Sequence, residues 1–115
     1  MEIAVKQVKD VAVATILVED LDAGNVADFR RDIASVLEAH PRLVLDLSRL
    51  RFVDSSGLGA FISSLRKLNA AGGDLKLCCL SKPVRAVFEL VRMHRVFDIH
   101  ESSEEAVRAF ALAPK

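Results

Sequence analysis

The chain has 115 residues, 51% of them hydrophobic and 28% charged, which is typical of a single globular domain with a substantial core. The formal net charge is zero, which excludes the basic excess expected of a nucleic-acid-binding protein, and no charge block indicates a membrane surface. The longest apolar run, VAVATILV, is far shorter than the roughly 20 residues of a membrane-spanning helix. No signal-peptide pattern is seen, so we expect a cytoplasmic protein without membrane insertion.

The first elements are predicted to be two strands and a helix. Residues 2–8 and 11–18 are rich in Val, Ile and Ala and are separated by a tight Lys-Asp turn, which favours an antiparallel pair. Apolar residues then recur at helical spacing, and the pattern predicts a helix at about 25–39. Asn25 is its candidate N-cap, with Asp28 as a short capping-box partner.

The middle of the chain alternates strand and helix. The apolar run at 43–47 is typical of a strand buried on both faces. From Gly57 onward the apolar residues again follow helical spacing, and Gly72 and Gly73 end that helix. Residues 74–80 alternate and then become continuously apolar, which predicts another strand.

The last part is predicted to contain two further helices around a short element. Ser81 is the candidate N-cap of the first, and Ser102 with Glu105 forms a capping box for the second. Residues 95–99 read as a short strand or turn. The whole order indicates an α/β domain at 1–115, with a small mixed sheet of four to five strands and about four helices packed against it.

Two adjacent cysteines, Cys78 and Cys79, lie near the end of the predicted strand at 74–80. Neighbouring side chains in a strand point to opposite faces, so the two thiols are expected to be badly placed to pair. A metal site would need further ligands at suitable spacing, and none is near in the sequence. We therefore expect two small core residues and no metal site.

The segment DSSGLG, at a predicted strand-to-helix junction, holds the candidate functional residues of this chain. A nucleophile elbow would need G-x-S-x-G, yet Val53 and Asp54 stand where the first glycine would precede Ser55 or Ser56, and no motif places a histidine. Neither of the glycine-rich phosphate-binding patterns is present. The remaining interpretations are a helix cap and a modification site, because a phosphoryl group at a helix N-terminus is tolerated by the helix dipole.

The segments LVLDLSRLRFVDSSGLGAFISSLRKLNAAGGDLKL, LDAGNVADFRRDI and KPVRAVFELV closely resemble the STAS-domain anti-sigma factor antagonists of bacteria. The resemblance extends over nearly the whole chain, and D-[ST]-[ST]-G-[LV]-G with a downstream GG-x-L-x-L is specific. It implies a STAS fold, a monomer when free, no cofactor, no metal and no catalytic residue. It also implies an anti-sigma factor serine kinase and a serine phosphatase as partners.

The resemblance further implies a role for the two serines. Ser55 matches the hydroxyl that the kinase phosphorylates, which switches binding off, and Ser56 is the alternative acceptor. Ser56 is expected to cap the helix and support the loop, and Leu58 is the candidate apolar anchor, although it could equally face the core. The full set of expected partner-binding residues is Asp22, Asn25, Asp54, Ser55, Ser56, Gly57, Leu58, Gly59, Met93 and His94.

Two departures from the family pattern bear on this interpretation. Glu19 stands where the family often has a glycine, so the loop path is expected to differ. RMHRV replaces a small S/T-G-L segment, and Met93 and His94 either face a partner or pack at a helix end. A second function class stays open, namely a STAS subunit that works without phosphorylation in a lipid-transport ATPase or a sensory complex.

Overall fold

The computed structural model describes residues 1–112 and contains the strands and helices that the alternating pattern predicts, together with two short strands that it does not. The strands are β1 Ile3–Val8, β2 Val11–Ile16, β3 Asp20–Leu21, β4 Arg42–Asp46, β5 Phe52–Val53, β6 Asp74–Cys78 and β7 Asp98–His100. The helices are α1 Val26–Ala39, α2 Ser55–Ala70, α3 Lys82–Leu90 and α4 Ser103–Leu112, with a 3-10 turn at Met93–Arg95.

Five strands form one mixed sheet in the order β1-β2-β4-β6-β7. β1 and β2 are antiparallel, and the β2–β4, β4–β6 and β6–β7 pairs are parallel, as the sequence predicts. β3 and β5 form a separate parallel pair. Their two-residue length gives no periodic signal, which is why the sequence reveals neither of them.

The helices cover both faces of the main sheet. On one face, alternate residues of β2, β4 and β6 pack with the apolar stripes of α1, α2 and α3. On the other face, Ala106 and Phe110 of α4 pack against a smaller group that includes Val13 and Val44. β4 is therefore buried on both faces, as its sequence predicts.

A row of phenylalanines joins the three helices of the larger core. Phe29 of α1 meets Phe61 of α2 edge-on at 5.7 Å between ring centroids. Phe61 lies 6.3 Å from Phe88 of α3, which in turn lies 6.0 Å from Phe97. Such tilted and edge-on aromatic pairs stabilise a core beyond the effect of the area they bury.

Among the described residues, none of the four helices combines the length and apolar character that a membrane crossing demands.

Three predicted caps have different outcomes. The Ser102 hydroxyl accepts the Glu105 N–H at 3.2 Å, so that cap is confirmed. Ser81 stands at the N-cap position of α3, as predicted, but its hydroxyl donates to the carbonyl of Leu50 at 2.7 Å and does not cap the helix. The predicted partner of Asn25 is wrong, because Asp28 forms an ion pair with Arg31 on the helix surface.

The end of α2 and the start of β6 depend on a close backbone approach. α2 ends at Ala70, and Gly72 and Gly73 follow it, as predicted. A Cβ at Gly73 would lie 2.1 Å from the carbonyl oxygen of Pro41, so only glycine fits there. The neighbouring Asp74 N–H donates to that same oxygen at 2.8 Å, which starts the pairing of β6 with β4.

Candidate functional site

The DSSG junction lies where the short strand β5 leads directly into α2. Asp54 has extended backbone angles and is the N-cap, and its Oδ1 accepts the Gly57 N–H at 3.1 Å. The prediction that Ser56 caps the helix is therefore wrong, because the carboxylate just before the two serines takes that position. Ser55 is the first helical residue and is exposed, whereas Ser56 is the second and is half-buried.

Asp54 also ties the helix to the loop that follows β3. Its second oxygen, Oδ2, accepts the Ala23 N–H at 3.0 Å, and its own N–H donates to the Leu21 carbonyl at 3.2 Å. The hydrogen bond from Gly57 lowers the pKa of Asp54 below its usual value, and the bond from Ala23 adds to this effect although burial opposes it. Asp54 is therefore ionised at neutral pH, and its hydrogen bonds fix the start of α2 relative to the loop after β3.

The loop between β3 and α1 is stabilised by hydrogen bonds between its own side chains and backbone. Asp22 Oδ1 accepts the Gly24 N–H at 2.9 Å, and Asn25 Oδ1 accepts the Asp22 N–H at 2.9 Å. Asn25 Nδ2 donates to the Asp20 carbonyl at 2.8 Å. Asn25 thus stands at the N-cap position, but its side chain folds the loop and does not cap α1, which corrects the prediction. Because Ala23 binds Asp54, this loop lies against the start of α2.

Two residues predicted to meet a partner are buried. Leu58 is only 8% exposed and belongs to the larger core, so its interpretation as a surface anchor is wrong. Gly57 is buried as well, and a Cβ there would lie 2.6 Å from Val53 Cγ2 and 2.8 Å from the Leu21 oxygen. Gly59 is half-buried and has room, because a Cβ there would lie 3.8 Å from its nearest neighbour, Arg30. Gly57 and Leu58 therefore support the site from beneath.

The segment after α3 contains two residues predicted to contact a partner, of which one is buried and one is exposed. Met93 is 9% exposed and packs in the core, so its predicted contact with a partner is wrong and the alternative, packing at a helix end, is confirmed. His94 is exposed. An apolar surface residue that the sequence analysis missed is Phe52 of β5, which is 50% exposed beside the junction. The sequence gives no signal for this exposure, because β5 is only two residues long and shows no periodicity.

The two departures from the family pattern have different structural consequences. Glu19 is not among the non-glycine residues with positive φ in the described part of the chain, so its position needs no glycine. Its carbonyl accepts the N–H groups of Arg51 and Phe52 at 2.7 and 3.1 Å, which positions β5. Arg92, in contrast, has φ 60° at the end of α3, in the left-handed region that favours glycine.

The cysteine pair differs from its prediction. Cys79 lies just beyond β6 and has φ 67°, so it leaves the strand alternation, and its Sγ lies 3.0 Å from that of Cys78. A carboxylate, Asp46, lies beside both thiols, although it is distant in the sequence. The expectation that the thiols point apart is therefore wrong, and a further possible ligand comes from a residue that is distant in the sequence.

Comparisons with known proteins agree with this architecture. The STAS domain family model matches residues 2–106. Anti-sigma factor antagonist BtrV of Bordetella bronchiseptica is 32% identical over 94 residues, which cover 81% of each chain. The structure of anti-sigma factor antagonist SpoIIAA in its unphosphorylated form superposes with a TM-score of 0.77 at 25% identity, covering 99% of this chain and 100% of that one. SpoIIAA of Bacillus in its phosphorylated form gives a TM-score of 0.68 at 25% identity, covering 95% and 99%. The chain therefore belongs to the STAS-domain family of anti-sigma factor antagonists.

Proposed function

We propose that the unphosphorylated chain binds an anti-sigma factor that is also a serine kinase, and so releases the sigma factor that the kinase held. Phosphorylation of Ser55 by that kinase ends the binding, and a serine phosphatase restores it. The observation that carries this proposal is that Ser55, the first residue of α2, is exposed and lies beside a carboxylate that fixes the helix start.

Exposure distinguishes the two candidate acceptors. A kinase has to bring the hydroxyl into line with the γ-phosphate of its nucleotide, so the acceptor oxygen must reach into another protein's active site. Ser55 is exposed, whereas Ser56 is half-buried one residue further into the helix. The kinase supplies nucleotide, metal ion and base, and this chain supplies the acceptor oxygen from Ser55.

The position of Ser55 lets the fold survive the modification. A phosphoryl group there adds about −1.5 to −2 charges at pH 7, next to the N–H groups and the positive dipole end of α2. The helix start does not depend on Ser55, because Asp54 already caps it and binds Ala23. The change is therefore one of surface charge and leaves the core intact.

The surroundings of Ser55 make that charge effective as a switch. Asp54 lies next to it in the chain, the loop held by Asp54 carries Asp22, and Asp20 lies in the adjoining strand β3. A phosphate dianion added to this acidic surface repels acidic groups of a partner that accepted the neutral hydroxyl. Exposed Phe52 replaces Leu58 as the apolar anchor of the proposed surface, which also includes Asp22, Gly59 and His94.

The test is phosphorylation by an anti-sigma factor serine kinase from the same organism with ATP and Mg²⁺, followed by mass spectrometry of the peptides. We expect one phosphoryl group per chain, on Ser55. Ser56→Ala is the matched control and should still be phosphorylated, whereas Ser55→Ala should not. Phosphate on another residue in the wild type would contradict the assignment, and no phosphorylation by any such kinase would favour a subunit that works without the switch.

A further inference from the structure

The paired thiols at the end of β6 form a cluster that the partner-switching function does not use. Cys78 is fully buried and Cys79 half-buried, with their sulfurs 3.0 Å apart. The left-handed backbone of Cys79 turns its side chain back toward that of Cys78. A non-glycine residue in that region is strained, so the surrounding structure enforces this arrangement.

A third donor comes from the neighbouring strand. Asp46 of β4 pairs directly with Cys78 of β6, so both side chains lie on the sheet face that α4 covers. One ligand atom from each of Asp46, Cys78 and Cys79 lies within 4.8 Å of the others. The Ser48 N–H donates to Asp46 Oδ1 at 2.9 Å and orients the carboxylate, as outer-sphere partners of metal ligands commonly do.

We propose that Cys78, Cys79 and Asp46 bind a zinc ion. Two sulfur donors and one carboxylate suit this borderline-soft cation, whereas Mg²⁺ and Ca²⁺ prefer oxygen ligands alone and Cu(I) prefers sulfur. Thiolates about 2.3 Å from a tetrahedral zinc ion stand about 3.8 Å apart, so the two sulfurs need to separate by less than about 1 Å.

A water molecule would take the fourth ligand position of the zinc ion. Asp46 lines a cleft of about 180 Å³ together with Thr15 and Ser103, so this carboxylate is accessible from solvent. Burial, with the neighbouring thiol and the Asp46 carboxylate, raises the pKa of Cys78 above its usual value, and burial also raises that of Cys79. Zinc therefore displaces a proton from each thiol, and both protons go to solvent.

This ion would occupy the α4 face of the sheet, whereas α2 and Ser55 belong to the opposite face. The proposed zinc site is therefore independent of the phosphorylation switch. Zinc held here joins the ends of β4 and β6, next to the first turn of α4. Its expected consequence is a more stable α4 face in the metal-bound protein, because a ligand that binds only the folded state stabilises it.

The experiment is titration of the reduced, metal-free protein with Co²⁺, whose charge-transfer absorption reports thiolate ligation, followed by competition with Zn²⁺. We expect one equivalent of Co²⁺ per chain, displaced by Zn²⁺. Cys79→Ser should weaken binding and lower the intensity of the charge-transfer band, because only the Cys78 thiolate remains. Asp46→Asn should weaken binding by at least the roughly 10- to 100-fold seen for lost outer-sphere partners. Glu38→Gln, an exposed carboxylate on α1, is the control and should bind as the wild type does.

Circular dichroism of each variant without metal separates loss of a ligand from loss of the fold. Cys79 and Asp46 are half-buried, and each substitution preserves side-chain size, so both variants should fold. A wild type without the charge-transfer band overturns the proposal, and so does unchanged affinity in Cys79→Ser or Asp46→Asn. A chain that keeps a Cys78–Cys79 disulfide under reductant overturns it as well.

Discussion

The two glycines at the start of α2 provide a test of how the DSSG junction is packed. A methyl group at Gly57 would lie 2.6 Å from Val53 Cγ2 and 2.8 Å from the backbone oxygen of Leu21. A methyl group at Gly59, half a turn further on, has Arg30 Nη2 as its nearest neighbour, at 3.8 Å. The same Gly→Ala change therefore creates a clash at one position and an ordinary contact at the other.

The magnitudes follow from these distances. Alanine is favoured over glycine within a helix by about 1 kcal/mol, and this gain applies to both variants. Overpacking a site whose neighbours cannot move costs about 1–3 kcal/mol. This cost applies to Gly57→Ala alone. The atoms that the new methyl group would meet are held in place, because Val53 is a stiff β-branched side chain and the Leu21 oxygen belongs to the backbone. We expect Gly59→Ala to be more stable than Gly57→Ala by about 1–3 kcal/mol.

Urea denaturation of the two variants and the wild type measures this difference directly. Gly59→Ala should unfold at a higher midpoint than the wild type, and Gly57→Ala at a lower midpoint than Gly59→Ala, with slopes unchanged. Two variants with equal midpoints above that of the wild type would refute the close packing of α2 on β3 and β5.

Three further predictions concern other positions in the fold. Arg92→Gly should stabilise the protein by about 0.5–1 kcal/mol in thermal unfolding, because relief of a left-handed arginine exceeds the entropy cost of glycine. A hydrogen bond from Arg31, followed by one from the N-terminus, lowers the pKa of Asp32 to about 2, so its contribution to stability is present above about pH 4 and is lost as pH falls through about 2. Urea midpoints for Asp32→Asn and wild type should therefore differ at pH 7 and converge near pH 2. Leu58→Ala should lose about 2–5 kcal/mol, whereas Phe52→Ala should keep its stability and lose affinity for the kinase.

The sequence predicts the main sheet well because its strands and helices are long enough to be periodic. The alternation of β1 and β2 and the apolar run of β4 identify the sheet, and the stripe of α2 identifies the helix on it. β3 and β5 could not be predicted, because their pairing is a tertiary contact between two-residue segments.

The strand-to-helix junction at DSSG was predicted correctly, but the contacts within it were not. The N-cap of α2 is Asp54 and not one of the serines. Its carboxylate accepts hydrogen bonds from the N–H groups of both Gly57 and Ala23. Leu58 could not be assigned to the core or the surface without the helix start, which lies two residues before the predicted one. Asp46 and Cys78 are neighbours because of the register in which β4 pairs with β6. That register cannot be predicted from the sequence of either strand alone.

The central claim is that phosphate on Ser55 switches partner binding, and calorimetry with the kinase tests it most directly. The account predicts that the unphosphorylated chain binds, that the phosphorylated chain and Ser55→Asp bind at least tenfold more weakly, and that Ser55→Ala binds like the unphosphorylated wild type. Equal affinity of the phosphorylated and unphosphorylated chains for the kinase would contradict it.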